Sequence, residues 1–209
     1  MKIVISAGPT RERIDAVRFL SNRSSGKMGF ALAGAAAEAG FDTVLVAGPV
    51  HLETPAGVRR IDVESAAEMA TAVKREAADA DIVIMAAAVA DYRPKQQLFG
   101  KMKKKDGDLT LELERTEDIL KSLGETKRPG QILIGFAAET ENLEQYALDK
   151  LKRKNLDWIA ANDVSRSDIG FGSDANAVTL YGRSGEKIAL PIASKAEIAA
   201  ALLKTCSAR

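Results

Sequence analysis

The chain has 209 residues, 46% of them hydrophobic, with 30 basic and 29 acidic side chains and a net charge of +1. That suits one sizeable core, and charge so nearly cancelled excludes a global field drawing the protein to nucleic acid or a membrane surface. A single cysteine, Cys206, and a single histidine, His51, exclude an intrachain disulfide, a cysteine metal cluster and an HExxH zinc site.

Lys2–Ala7 (KIVISA) reads as a short, β-branched strand ended by Gly8 and Pro9. A polar stretch, 10–25, precedes a helix expected from about Gly26 to Ala39, with Gly40 as its stop. Strands follow at 43–47 (TVLVA) and, more weakly, at 58–63. Ser65 then caps a helix, with Glu68 placed to complete a capping box. Residues 81–88 (DIVIMAAA) form the clearest central strand, followed by a strand at 132–136, a helix over about 142–154 and a strand at 158–161. Strands apolar throughout are buried on both faces, and their alternation with helices implies a parallel sheet with right-handed crossovers. The longest apolar run, Ile82 to Ala90, is too short to span a bilayer, and Met1 leads into a strand with no signal peptide. The expected location is cytoplasmic.

Two segments interrupt this pattern. Residues 92–106 are polar and lysine-rich, and 108–115 (DLTLELER) alternate strictly, setting Leu109, Leu111 and Leu113 on one face of a half-exposed strand. A second antiparallel pair is expected at 177–181 and 187–190. Together these form either a subdomain or a dimer contact. The expected architecture is a single domain over 1–209: a doubly wound, Rossmann-like, mostly parallel sheet, with a lid at about 92–106 and a small antiparallel β subdomain used for dimerisation. A helix after Ser194 closes the chain.

Ligands of open α/β sheets bind beyond the carboxyl ends of the strands. Those ends carry Ala7-Gly8-Pro9-Thr10, Ala88-Val89-Ala90-Asp91, Phe136-Ala137-Ala138-Glu139 and Ala161-Asn162-Asp163. Small residues there admit a ligand close to the backbone, although each alone also suits plain helix packing. The loop Asn22-Arg23-Ser24-Ser25-Gly26-Lys27-Met28-Gly29 opens the first long helix, where free amides, hydroxyls and the helix dipole make an anion cradle. It is not a Walker A motif, because Ser21 stands where glycine is required and Met28 where Ser or Thr is. The run Lys101-Met102-Lys103-Lys104-Lys105 lies where a lid would attach, although most such runs are solvated faces. Lys150 and Lys154 share a helix face, a costly pairing unless an anion lies between them, with plain surface placement as the alternative. Tyr146 and Lys150 fit the YxxxK pair of short-chain dehydrogenases, but the first turn lacks the glycines that would seat a dinucleotide.

SAGPTRERIDAVRFLSNRSSGKMG (Ser6 to Gly29), AAAVADYRP (Ala86 to Pro94), GKMKK (Gly100 to Lys104), GFAAET (Gly135 to Thr140) and KRKNLDWIAANDV (Lys152 to Val164) closely resemble bacterial phosphopantothenate–cysteine ligase. This is the synthetase half of the bifunctional coenzyme A biosynthesis flavoprotein. The resemblance runs from about Lys2 to Lys204. It implies ligation of 4′-phosphopantothenate to L-cysteine in two steps: CTP and the carboxylate give an acyl-cytidylate and pyrophosphate, then the cysteine amine displaces CMP. It also implies Mg²⁺ accompanying the nucleotide, with no protein ligands assigned to it, and a homodimer. No nucleic-acid or membrane partner is implied. By position, Asn22 matches the residue contacting the acyl-cytidylate and Lys101 the flap lysine, the two catalytic assignments. Asp91, Glu117, Asp118, Ile119, Leu120, Phe136, Lys150 and Lys154 match nucleotide-contacting positions, and Ser24, Ser25 and Gly26 form the phosphate and substrate loop. Glu117 departs from the family's proline, so no side-chain role carries over there. The flavin-binding decarboxylase domain of the fused form is absent from this sequence, which reads as a free-standing ligase or a piece of a larger chain; no flavin is expected on it. Two readings stand beside the ligase: a nicotinamide-dependent reductase using Tyr146 and Lys150, and a catalytically silent nucleotide-binding module.

Overall fold

The computed structural model of the chain describes residues 1–104, 107–139, 141–163 and 173–207. Lys105 and Asp106 of the lysine-rich insertion, Thr140, and Val164 of the last motif lie outside the described residues.

The first half contains β1 (Lys2–Ala7), a short hairpin β2 (Arg11–Arg13) and β3 (Phe19–Ser21), α1 (Lys27–Glu38), β4 (Asp42–Ala47), β5 (Val58–Asp62), α2 (Ala66–Ala77) and β6 (Ile82–Met85). A second small pair, β7 (Tyr92–Pro94) and β8 (Leu113–Arg115), precedes α3 (Ile119–Thr126) and β9 (Ile132–Glu139). The chain continues through α4 (Leu143–Arg153), β10 (Trp158–Asp163), β11 (Ala175–Gly182), β12 (Lys187–Ser194) and α5 (Lys195–Ser207).

Eight strands form one sheet in the order β12-β11-β10-β9-β6-β1-β4-β5. The six from β10 to β5 pair in parallel, and β11 and β12 add an antiparallel edge. The chain leaves β1 outward through β4 and β5, then returns to β6 on the other side of β1. The order of the strands therefore reverses between β1 and β6, the topological feature beside which ligands of such sheets bind.

Alternate residues of β1 enter two cores. Val4 belongs to the core that holds Met69 and Val73 of α2 and Leu151 of α4, while Ile3 and Ile5 belong to the one that holds Leu32 of α1 and Ile198 and Leu202 of α5. Helices therefore cover both faces, as the uniformly apolar strands require, and full burial of each such side chain contributes about 1.5–3 kcal/mol. Gly29 lets α1 lie directly on β1, since a Cβ there would meet the Ala7 Cβ at 2.4 Å. Gly40, at φ +82°, ends α1 as expected: the Gly40 and Phe41 amides donate to the Ala37 and Ala36 carbonyls.

Several elements differ from expectation. The strand expected at 81–88 ends at Met85, because the Ala87 amide turns to the Ser6 hydroxyl at 3.1 Å instead of a ladder carbonyl. The strand expected at 108–115 is realised over its last three residues, since its partner β7 is itself three residues long. The hairpin of β11 and β12 continues the main sheet rather than standing apart, because Val178 and Leu180 are buried in the same core as Ile134 and Ile198. In the α2 cap, the Ser65 hydroxyl accepts from the Glu68 amide, but the Glu68 carboxylate reaches the Glu64 amide, one residue upstream of the expected partner. The polar stretch 10–25 holds the unexpected β2–β3 hairpin, and α3 was likewise not expected. Asp118 followed by Ile119, Leu120 and Leu123 is the cap-and-periodicity signal for that helix.

Candidate functional site

A cleft of about 670 Å³ opens at the carboxyl ends of β6, β9 and β10, within the usual range for small-molecule sites. Its floor is the irregular segment 86–91. Side chains from four segments hold the backbone of that segment: Ser6 accepts from Ala87, Thr10 accepts from Ala90 at 3.0 Å, Thr116 donates to the Ala90 carbonyl at 2.5 Å, and Asn22 Nδ2 donates to the Ala88 and Val89 carbonyls at 3.0 and 3.2 Å. The floor is therefore rigid and lined by alanines that leave room for a ligand.

One wall is the loop 24–29. Gly26 caps α1 at φ +77° without a side-chain cap, and no acidic residue occupies the first turn. The amide end of α1 thus faces the cleft with no acidic side chain in its own first turn, an arrangement suited to an anion. Lys27 pairs with Asp174 at 2.5 Å, and Lys195, at the start of α5, is 7% exposed. Burial first, then the charge of Lys27, pushes the Lys195 ammonium below its ordinary pKa.

The opposite wall combines the start of α3 with the end of α4. Asp118 caps α3 by accepting from the Lys121 amide at 3.0 Å, and Lys154 Nζ donates to the same carboxylate at 3.0 Å. Burial by itself would raise the Asp118 carboxyl; the Lys121 amide, the Lys154 ammonium and the charge of Lys150 outweigh it and hold the carboxyl below its ordinary value. Lys150 Nζ donates to the Phe136 carbonyl at 2.7 Å. The two helices meet at Gly124, whose Cβ would lie 2.0 Å from the Lys154 carbonyl oxygen, and Asn155 Nδ2 donates to the Gly124 carbonyl at 2.7 Å. Asn155, at φ 53°, ends α4 with the paired C-terminal bonds that a left-handed residue permits.

The structure brings Ser24, Ser25, Gly26, Asp91, Glu117, Asp118, Ile119, Leu120, Phe136, Lys150 and Lys154 to one cleft. Asn22 is held at its rim. Glu117, where the family has proline, forms an ion pair with Lys74 of α2. Lys101 is exposed and does not line the cleft; it lies on the insertion that packs against the β2–β3 turn. Tyr146 is 49% exposed and also absent from the lining, so the YxxxK pair is not assembled there. Sequence reasoning did not single out Lys195, Asn176 or Arg115, which do line it. A lysine in the first turn of a helix opposes the dipole, and that is the signal that marks Lys195. Asn162 also lines the cleft, and its Oδ1 is buried and has no hydrogen-bond partner among the described residues, a polar atom suited to a ligand donor. Among the described residues no group of three or more His, Cys, Asp or Glu side chains could hold a metal ion, and no helix is long and apolar enough to cross a membrane.

Fold and cleft together define an α/β protein of Rossmann-like type whose cleft, at the carboxyl ends of its parallel strands, is lined by lysines and by the amide end of α1. The chain belongs to the family described as the DNA/pantothenate metabolism flavoprotein C-terminal domain, whose model matches residues 1–208. It is 53% identical over 207 residues to the coenzyme A biosynthesis bifunctional protein CoaBC of Bacillus subtilis, covering 99% of this chain and 51% of that protein. The Escherichia coli K12 protein of the same name is 48% identical over 198 residues, covering 93% and 48%. The chain thus spans about half the length of the curated relatives it matches. The crystal structure of the C-terminal domain of a CoaBC protein superposes with a TM-score of 0.84 at 48% identity, covering 98% of this chain and 92% of that one.

Proposed function

We propose that the chain ligates 4′-phosphopantothenate to L-cysteine in coenzyme A biosynthesis, using CTP and an acyl-cytidylate intermediate. One observation carries the reading: a single cleft joins the uncapped amide end of α1 to the Lys150, Lys154 and Asp118 wall, across an alanine floor held by Asn22. The family membership and the CoaBC names of its relatives support the same reaction.

In the first step a carboxylate oxygen of phosphopantothenate attacks the α-phosphorus of CTP. The bond to the β-phosphate bridging oxygen breaks, and pyrophosphate leaves with its electron pair. In the second, the cysteine amine attacks the acyl carbon, loses a proton, and expels CMP with one former carboxylate oxygen. The α1 amides and the lysines stabilise phosphate charge, and the closed floor keeps water from the mixed anhydride. Lys101 acts from the flap on the departing pyrophosphate, and Asn22 acts at the acyl group.

Mg²⁺ accompanying the nucleotide would supply neutralisation of phosphate charge, and Asp91 would be the cleft carboxylate available to hold it. The cleft carboxylates fit that mode, which needs only one or two of them: Asp118 and Glu117 are committed to lysines, and Asp91 is the lining carboxylate outside an ion pair among the described residues. The protein acts as a homodimer, in which the exposed Leu109, Leu111 and Leu113 are covered by the second subunit.

Incubation with CTP, 4′-phosphopantothenate and cysteine, followed by mass detection of the amide, tests the reading. Product that requires all three substrates supports it. CTP bound but never consumed identifies a silent nucleotide-binding module instead.

A further inference from the structure

Asp15 lies in the turn between β2 and β3 with its side chain fully buried. Its two carboxylate oxygens have different work. Oδ1 accepts from the Val17 and Arg18 amides at 2.8 and 2.9 Å, which accounts for the turn. Oδ2 accepts from Arg18 Nη1 at 2.6 Å and from the Met102 amide at 3.1 Å, a partner 87 residues away. A second bond, from the Leu98 amide to the Ile14 carbonyl at 3.1 Å, ties the same strap to the same turn. The two attachments flank Lys101, on a segment with no helix or strand of its own.

A turn of this kind needs one side-chain oxygen, which asparagine supplies as well as aspartate. A buried carboxylate is costly unless both oxygens are compensated, so the charge is accounted for by the partners of Oδ2, one of which is the strap. Lys101 is exposed while its neighbour Met102 is partly buried. The lysine is thus carried on a backbone segment attached on both sides to the β2–β3 turn.

We propose that Asp15 is a positioning residue for Lys101: by accepting from the Met102 amide it fixes the root of the strap, so that the ammonium meets the triphosphate in the orientation that nucleotide activation needs. The inference rests on the reading of Lys101 as the residue that assists pyrophosphate departure. Asp15 itself touches no substrate, so its loss slows the first half-reaction without a matching loss of CTP affinity.

Two variants separate the contacts. Asp15→Asn keeps an oxygen for the turn amides and sets an amide group against the Met102 N–H. Met102→Pro removes that N–H and leaves Asp15 and Arg18 untouched. Single-turnover formation of acyl-cytidylate is measured in each, alongside CTP affinity by calorimetry, in the wild-type and Lys101→Gln backgrounds. Both variants are expected to slow intermediate formation by about ten- to a hundredfold while CTP affinity stays within about threefold. Neither is expected to slow the Lys101→Gln protein further, a non-additivity that a merely structural role does not give. Full intermediate formation in Met102→Pro overturns the inference alone, and so does an equal further loss in the Lys101→Gln background. Full intermediate formation in Lys101→Gln itself overturns the reading on which the inference rests. If Asp15→Asn does not fold, Met102→Pro carries the test.

Discussion

The ammonium of Lys154 lies 3.0 Å from the carboxylate of Asp118, joining the C-terminal cap of α4 to the N-terminal cap of α3 within one wall of the cleft. The same pair that fixes the wall sets an ammonium on the lining of the cleft, where the proposed function has it meet a phosphate. Lys154→Gln is expected to weaken CTP binding by roughly 1.5–3 kcal/mol, the worth of a charge-assisted contact. Calorimetry checks this, and unchanged affinity would remove Lys154 from the nucleotide site.

Gly124 sets how closely those helices meet. Gly124→Ala places a Cβ 2.0 Å from the Lys154 carbonyl oxygen, a backbone atom that cannot swing away. The expected loss of stability is about 1–3 kcal/mol, accompanied by weaker CTP binding as the wall parts. Denaturant titration and calorimetry on one preparation read both effects. A stable variant with normal affinity would show that the contact is not needed.

Acid sensitivity should centre on Glu76. Its carboxylate accepts from Arg59 at 2.5 Å, Arg75 at 3.1 Å and Lys2 at 3.3 Å, and the Arg59 bond leads the contacts that hold its pKa down at about 2, against 4.5 unperturbed. A folded-state pKa below the unfolded one contributes stability that is complete above about pH 4.5 and lost as pH falls towards about 2. Glu76→Gln is expected to cost roughly 2–3 kcal/mol at neutral pH and to flatten the stability profile across that window. An unaltered acid limb would contradict the assignment.

Asn22 and Lys101 should fail differently. Asn22 donates to two floor carbonyls, so Asn22→Asp sets a carboxylate against both and beside an anionic intermediate, while leaving the lining lysines in place. Turnover is expected to fall with CTP affinity largely kept and acyl-cytidylate accumulating in the presence of cysteine. Lys101→Gln is expected to slow formation of the intermediate itself. Quenched reactions with labelled CTP distinguish the two, and the same block in both variants would defeat the division.

Leu109, Leu111 and Leu113 are 63%, 38% and 46% exposed in the single chain. Sedimentation at micromolar concentration should give a dimer, and Leu111→Asp should shift it towards monomer. A monomer in the unaltered protein would leave this stripe to some other role.

Much of the fold was legible because buried parallel strands announce themselves. Ile3 to Ile5 and Val44 to Ala47 are apolar without a break, and Gly40 marks a helix end by the conformation it alone adopts cheaply. What escaped was short or set by tertiary contact. β2 and β3 are three residues each, below any periodicity, and exist because Asp15 folds the turn between them. The 24–29 loop and the strand ends were legible from the residues themselves and the α3 and α4 positions only through the family resemblance, whereas Lys195 was not, because its burial depends on α5 packing beside α1. Lys101 lies on an insertion that rests against the β2–β3 turn, and no pattern in the sequence tells where an insertion rests.

Acyl-cytidylate chemistry is tested most directly by oxygen transfer. Phosphopantothenate carrying ¹⁸O in both carboxylate oxygens is turned over with CTP, Mg²⁺ and cysteine, and the phosphorus products are analysed by mass. The account requires CMP with one ¹⁸O and unlabelled pyrophosphate, since the carboxylate oxygen bonded to the α-phosphorus leaves with CMP. Label in inorganic phosphate instead, or amide formed with unlabelled CMP, would contradict it.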